Sequence, residues 1–177
     1  QNAVIYVKGA PVEMLAQCNR MHWGDAIRPL SEIDRQRILQ ENDAMASRGL
    51  RVLAFAYRDG SELNGAPFTA ADIESELVYL GLVALSDPLR PEVAPAIHAC
   101  HSAGIRIIMI TGDYALTAAS IGQQIGLGQN TPLKTFTGAE ISEMDDQRLR
   151  GILVEGETIF ARVAPEHKLR IVAQLKQ

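Results

Sequence analysis

The chain has 177 residues, 47% of them hydrophobic and 21% charged, the composition of a protein able to bury a real core in one ordinary domain or two small ones. A formal charge of −4 and a pI near 5.6 exclude the basic excess that marks a nucleic-acid surface. The longest apolar runs, Leu77–Leu85 and Ile105–Ile110, are strand-sized and too short to cross a membrane as a helix.

The opening Gln-Asn-Ala-Val-Ile-Tyr-Val-Lys runs directly into a strand pattern with no leader-like segment, as in a piece of a longer chain. Residues 4 to 8 are predicted as a strand, and Pro11 opens a helix, proline being suited to the first turn. Residues 19 to 30 read as a loop. Ser31 caps a helix that runs to about Arg48 and is stopped by Gly49. Leu50–Arg58 is a predicted strand, the turn-rich Asp59–Pro67 a surface loop, and Leu77–Ser86 another strand. Few helices separate these last strands, so residues 1 to 86 are expected to form an α+β module with an antiparallel sheet and two helices.

From Asp87 the rhythm changes. Pro91 opens a helix that Gly104 closes, and Ile105–Ile110 reads as a strand buried on both faces, as in parallel sheets. A helix over 114 to 125 follows, with Gly126 past its end; further elements are a helix over roughly 142 to 152, a strand over 158 to 161 and a helix from Pro165. Alternating helix and strand predicts an α/β module over residues 87 to 177. Asp87-Pro88-Leu89-Arg90-Pro91, with two prolines, is the natural hinge between the modules.

The two cysteines, Cys18 and Cys100, lie far apart without a paired spacing, so no disulfide framework is indicated and a reducing compartment is expected. His98-Ala99-Cys100-His101 has no evident third ligand. Cys100 falls on the apolar stripe of its helix with Val93 and Ile97, which predicts a core cysteine flanked by surface histidines rather than a metal site.

Four stretches carry candidate chemistry. In Met109–Gly122, Thr111-Gly112-Asp113 stands where a strand hands over to a helix; such a joint points N–H groups at open space and favours an anion, although aspartate and glycine there equally make an ordinary helix cap. In Phe160–Val172, Arg162 closes a strand and Lys168 lies one turn into the next helix, where a lysine can offset phosphoryl charge or simply be solvated. Lys8-Gly9-Ala10-Pro11 puts a lysine at a strand end and lets backbone approach a flat ligand, and Arg51 begins a strand of the same module.

In order and wording these stretches resemble the P-type cation-transporting ATPases, pumps that form an aspartyl-phosphate. Lys8–Pro11 is similar to the family's nucleotide-domain signature and Gly49–Arg58 to the strand after it. Asp87–Val93 resembles the hinge motif, with Leu89 where the family usually has a second proline; Met109–Leu127 resembles the phosphorylation-domain signature, and Phe160–Val172 the segment before the magnesium-binding loop. The resemblance implies that Lys8 and Gly9 line the adenine pocket, that Arg51 reaches the nucleotide phosphates, and that Asp87 and Arg90 form the hinge beneath. It further implies that Thr111 and Gly112 contact the transferred phosphoryl group, that Asp113 holds the loop and the ribose side, that Arg162 lies near the ribose, and that Lys168 is the charge-stabilising lysine of haloacid-dehalogenase-like phosphotransferases.

The cofactors so implied are ATP and Mg²⁺, most of whose ligands lie outside these residues; no metal ligand is assigned within them. Asp-Lys-Thr-Gly-Thr with the phosphorylated aspartate, Gly-Asp-Gly-x-Asn-Asp of the magnesium loop and Thr-Gly-Glu-Ser are all absent from the sequence. The expectation is therefore a pump fragment. Residues 1–86 form the C-terminal part of its nucleotide-binding domain, and residues 87–177 form part of a haloacid-dehalogenase-like, Rossmann-type phosphorylation domain that lacks the nucleophile strand. The fragment is inactive alone, on the cytoplasmic face of a membrane, and its partners are ATP and the remaining cytoplasmic and transmembrane segments, where the transported cation binds. Wording such as Ala164–Val172 resembles the calcium-type branch. A soluble phosphatase of the haloacid-dehalogenase type and a non-catalytic nucleotide-binding module are the competing readings.

Overall fold

Val4–Gly9 (β1) leads through Ala10 into Pro11–Gln17 (α1), whose proline occupies the first turn. The computed structural model describes residues 4–60, 69, 73–129 and 132–176. Cys18–Trp23 (β2) and Ala26–Pro29 (β3) then form an antiparallel hairpin, where a loop is expected from the sequence. Gly24, at φ +61°, makes its turn. The hairpin is hard to read because β2 alternates imperfectly: its pairing register shifts between Cys18 and Arg20.

Glu32–Ala46 (α2) begins where Ser31 predicts. Ser31 Oγ accepts the Asp34 N–H, and the Asp34 carboxylate accepts the Ser31 N–H. Gly49, at φ +79°, ends the turn that follows. Arg51–Asp59 (β4) and Leu77–Leu85 (β5) complete a five-stranded sheet in the order β1-β4-β5-β2-β3. The predicted 59–67 loop falls largely outside the described residues.

The sheet is mixed, not antiparallel as expected. β1 runs antiparallel to β4, but β2 pairs parallel with β5, a contact whose partners lie more than fifty positions apart and so leave no local trace. Alternation in β4 turns Ala54 and Ala56 inward, where they pack with Met14, Leu15, Met21, Leu77 and Tyr79, and turns Phe55 and Tyr57 to the other face.

The chain divides into two compact units, Gln1–Met45 with Val52–Leu85, and Ala46–Arg51 with Ser86–Gln177. In the second, Val93–Ser102 (α3) precedes Ile108–Ile110 (β6), followed by Ala115–Gln124 (α4), Lys134–Thr137 (β7), Gly138–Glu143 (α5), Asp146–Glu155 (α6), Thr158–Ala161 (β8) and Pro165–Leu175 (α7). The strands form a parallel sheet in the order β6-β8-β7.

Four expectations need correction. The strand predicted from Ile105 is only three residues long, half-buried, and lies at the sheet's edge among the described residues, with Ile105 itself exposed; it is β8 that is buried on both faces. The single helix over 142–152 is two helices, because Asp145 caps a new one through the Arg148 N–H. β7 has no counterpart among the elements expected from the sequence. Cys100 is half-buried rather than a core residue, since α3 contains no fully buried residue. His101 is not a surface residue but pairs with Glu157 at 2.7 Å.

Candidate functional site

All three strands of the parallel sheet point their carboxyl ends at one edge, where ligands of such sheets bind. Thr111 follows β6, Arg162 follows β8, and Thr137-Gly138 closes β7 into α5.

The Thr111–Asp113 turn is self-capped. Thr111 Oγ1 donates to Asp113 Oδ2 at 2.9 Å and accepts the Asp113 N–H at 3.0 Å. Its hydroxyl proton is thus held by Asp113, and donating it to another oxygen requires it to turn away. Gly112 is exposed and open: a Cβ there would meet nothing within 4 Å. α4 starts two residues beyond Asp113, with no side-chain cap on its first N–H groups.

The chain after β8 is stitched onto this turn. The Arg162 N–H donates to the Asp113 carbonyl at 3.0 Å, and the Val163 N–H to the Thr111 carbonyl at 3.2 Å; one step earlier, the Thr111 N–H bonds the Phe160 carbonyl at 2.9 Å. To make these bonds Arg162 sits at φ +50°, a conformation that costs a non-glycine residue about 1–3 kcal/mol and clusters at functional sites. Thr111, Gly112, Asp113 and Arg162 are therefore brought together through their backbones. Lys168 is exposed in the first turn of α7, which begins three residues after Arg162.

Sequence reasoning does not single out four neighbours of this edge. Thr137 and Glu140 form a reciprocal cap of α5; the N–H and hydroxyl of Thr137 both donate to Glu140 at 2.7 Å and hold its carboxyl below the usual range. Gly138 lies so close to the chain after β8 that a Cβ on it would stand 2.4 Å from the Arg162 carbonyl oxygen. His167, the fourth, contacts both α5 and the start of α7. Of the four, only the Thr-x-x-Glu spacing is a sequence signal.

In the first unit, Lys8 and Gly9 line a cavity of about 260 Å³ together with Glu13, Met14, Glu74 and Leu77. Lys8 is exposed and stands opposite Phe55 in the β1–β4 register. Arg51 is exposed at the start of β4 but groups with the second compact unit, not with Lys8 and Gly9 as expected. Asp87 and Arg90 are exposed in the segment between β5 and α3.

A sheet edge of this kind, fed by helix N-termini, suits an anion rather than a cation. No group of three or more His, Cys, Asp or Glu side chains among the described residues could hold a metal ion. Mg²⁺ in phosphate sites usually takes one or two carboxylates beside the phosphates, and at this edge the Asp113 carboxylate already accepts the Thr111 hydroxyl.

The family model described as P-type ATPase, cytoplasmic domain N, matches residues 1–92, and the chain belongs to that family. Among curated relatives, Cation-transporting ATPase pma1 of Synechocystis is 39% identical over 173 residues, covering 98% of this chain and 19% of its own length. Calcium-transporting ATPase 1 of Bacillus cereus is 36% identical, covering 96% of this chain and 18% of its own length. The yeast Calcium-transporting ATPase 1 is 37% identical, with 98% and 18% covered. The chain thus spans about a fifth of the length of the relatives it matches.

Proposed function

We propose that this chain is the cytoplasmic nucleotide- and phosphoryl-handling part of an ATP-driven cation pump of the calcium-type branch. Residues 1–86 are the C-terminal part of its nucleotide-binding domain, and residues 87–177 part of a haloacid-dehalogenase-like phosphorylation domain. The whole pump binds Mg-ATP and passes the γ-phosphoryl to an aspartate that is not among these residues. Ion movement follows in membrane segments that are not among them either; no described helix is long and apolar enough to cross a bilayer.

The observation that carries the reading is the stitched edge. The Thr111–Asp113 turn and Arg162 are held together by backbone hydrogen bonds at the carboxyl ends of adjacent parallel strands, with Lys168 on the helix that follows. There Thr111 and Gly112 contact the transferred phosphoryl group, Asp113 fixes the turn and the ribose side, Arg162 lies near the ribose, and Lys168 offsets charge that develops in transfer. Lys8 and Gly9 take the base, Arg51 the nucleotide phosphates, and Asp87 and Arg90 serve the hinge. Mg²⁺ would supply neutralisation of phosphate charge; none of these residues is assigned as its ligand.

Titration of the chain with ATP, followed by amide NMR, tests the assignment. Binding near millimolar, about −4 kcal/mol, should perturb Lys8 and Gly9, and Lys8→Ala should weaken it. Shifts confined to Thr111, or an affinity that Lys8→Ala leaves untouched, would remove the base from this cavity.

A further inference from the structure

The N-terminus of α7 lacks the residue that usually serves it. Its N-cap is Ala164, which has no side-chain oxygen to accept an amide proton, and Pro165 follows. His167, at the third helical position, makes the return half of a cap by accepting the Ala164 N–H. Its Nδ1 stands 3.0 Å from the Ala164 nitrogen, and its Nε2 2.9 Å from Ser142 Oγ; Ser142 Oγ in turn reaches the Gly138 carbonyl at 3.1 Å.

The direction of every proton in this chain follows from chemistry. A backbone N–H can only donate, so Nδ1 is the lone-pair nitrogen of a neutral ring. Nε2 therefore carries the proton and donates it to Ser142, whose own proton goes to the Gly138 carbonyl. This order also excludes a serine nucleophile here, since the nitrogen facing Ser142 is already protonated and cannot act as its base. The ring sits against Gly138, where a Cβ would come within 3.0 Å of both the imidazole Cε1 and Nδ1 and within 2.4 Å of the Arg162 carbonyl oxygen. One imidazole thus bonds the amide that enters α7 and, through Ser142, links it to α5.

We propose that His167 is a positioning residue for the phosphoryl edge. By holding the Ala164 amide and Ser142 at once, it fixes the direction of the first turn of α7, and with it Lys168, the next residue. The proposal rests on the reading of Lys168 as a phosphoryl-facing group; the His167 chain itself rests on geometry alone.

The test uses the 177-residue protein and two variants. In ¹⁵N-histidine NMR at neutral pH, His167 should show an unprotonated Nδ1 and a protonated Nε2. In His167→Asn the side-chain oxygen stands where Nδ1 did and keeps the Ala164 bond, whereas His167→Leu loses it. Hydrogen exchange at Ala164 should then speed about five- to tenfold in the leucine variant, the scale of one lost hydrogen bond, and stay within about twofold in the asparagine variant. Inorganic phosphate should slow acylation of the Lys168 amine in the wild type and in His167→Asn, and fail to do so in His167→Leu. The opposite tautomer, an unaffected leucine variant, or an asparagine variant as impaired as the leucine one would overturn the proposal. If His167→Leu fails to fold, the tautomer and His167→Asn still decide. Phosphate that gives Lys168 no protection in the wild type, while Ala164 exchange responds as expected, would sink the phosphoryl reading and leave the role of His167 in α7 standing.

Discussion

Removing one carboxylate in the second unit should loosen three segments at once. Glu157, just before β8, accepts the Gly128 N–H at 2.8 Å, the His101 Nε2 proton at 2.7 Å and the Ile107 N–H at 3.4 Å. It thereby ties together the turn after α4, the end of α3 and the entry to β6. The Glu157 and His101 side chains are only 12% and 13% exposed, so water replaces the lost acceptor poorly. An orphaned donor costs roughly 1–3 kcal/mol when buried. Taking the low end for each donor, because truncation to alanine opens some room for solvent, gives about 2–4 kcal/mol for Glu157→Ala. Glu157→Gln keeps one acceptor oxygen and should cost less. The comparison is Glu155→Ala, which breaks the Lys134–Glu155 pair, 52% and 59% exposed, and should change stability by no more than about 1 kcal/mol. Urea unfolding followed by far-UV circular dichroism measures all three, and hydrogen exchange at Gly128 and Ile107 shows where the loss falls. A Glu157→Ala variant as stable as Glu155→Ala, with Gly128 still protected, would refute the reasoning.

The same carboxylate predicts a pH dependence. Burial pushes its titration up, but the bonds from Gly128 and His101 outweigh this and hold the folded value below the ordinary one. Its contribution is therefore complete above the unfolded glutamate value of about 4.3 and is lost as pH falls through the folded one; urea midpoints across acid pH should show a decline that Glu157→Ala flattens. Gly138→Ala should cost about 1–3 kcal/mol by overpacking against the Arg162 carbonyl and should move the Arg162 and Val163 amide resonances; an unshifted spectrum counts against the close approach. Thr137→Ala, by removing the cap of α5, should cost about 1 kcal/mol in thermal or urea unfolding. The 177-residue chain should form no hydroxylamine-labile phosphoenzyme from radiolabelled ATP, whereas a longer chain with the aspartate motif and magnesium loop should; there Lys168→Ala should slow phosphorylation by roughly 10²-fold.

Much of the fold is legible where a single residue type does a single local job. Pro11 and Ser31 start helices, Gly49 and Gly104 end them at positive φ, and the Leu77 and Thr158 runs are strands. The β2–β3 hairpin and β7 escape because they are short and their stability comes from strands far along the chain. The candidate edge is half legible. Thr111-Gly112-Asp113 announces a strand-to-helix turn, but nothing near Arg162 tells that its N–H bonds the Asp113 carbonyl. His101 and Glu157, 56 positions apart, meet only because β6 and β8 are neighbours, and such a pairing has no signature in a single sequence.

β6 has a consequence of a different kind. Ile-Met-Ile is apolar throughout, and among the described residues only one side of the strand is hydrogen-bonded, to β8. An open, uncharged strand side is a template for another chain. The isolated protein is therefore expected to self-associate through this strand as its concentration rises, despite a net charge of −4, and light scattering over a concentration series would show it.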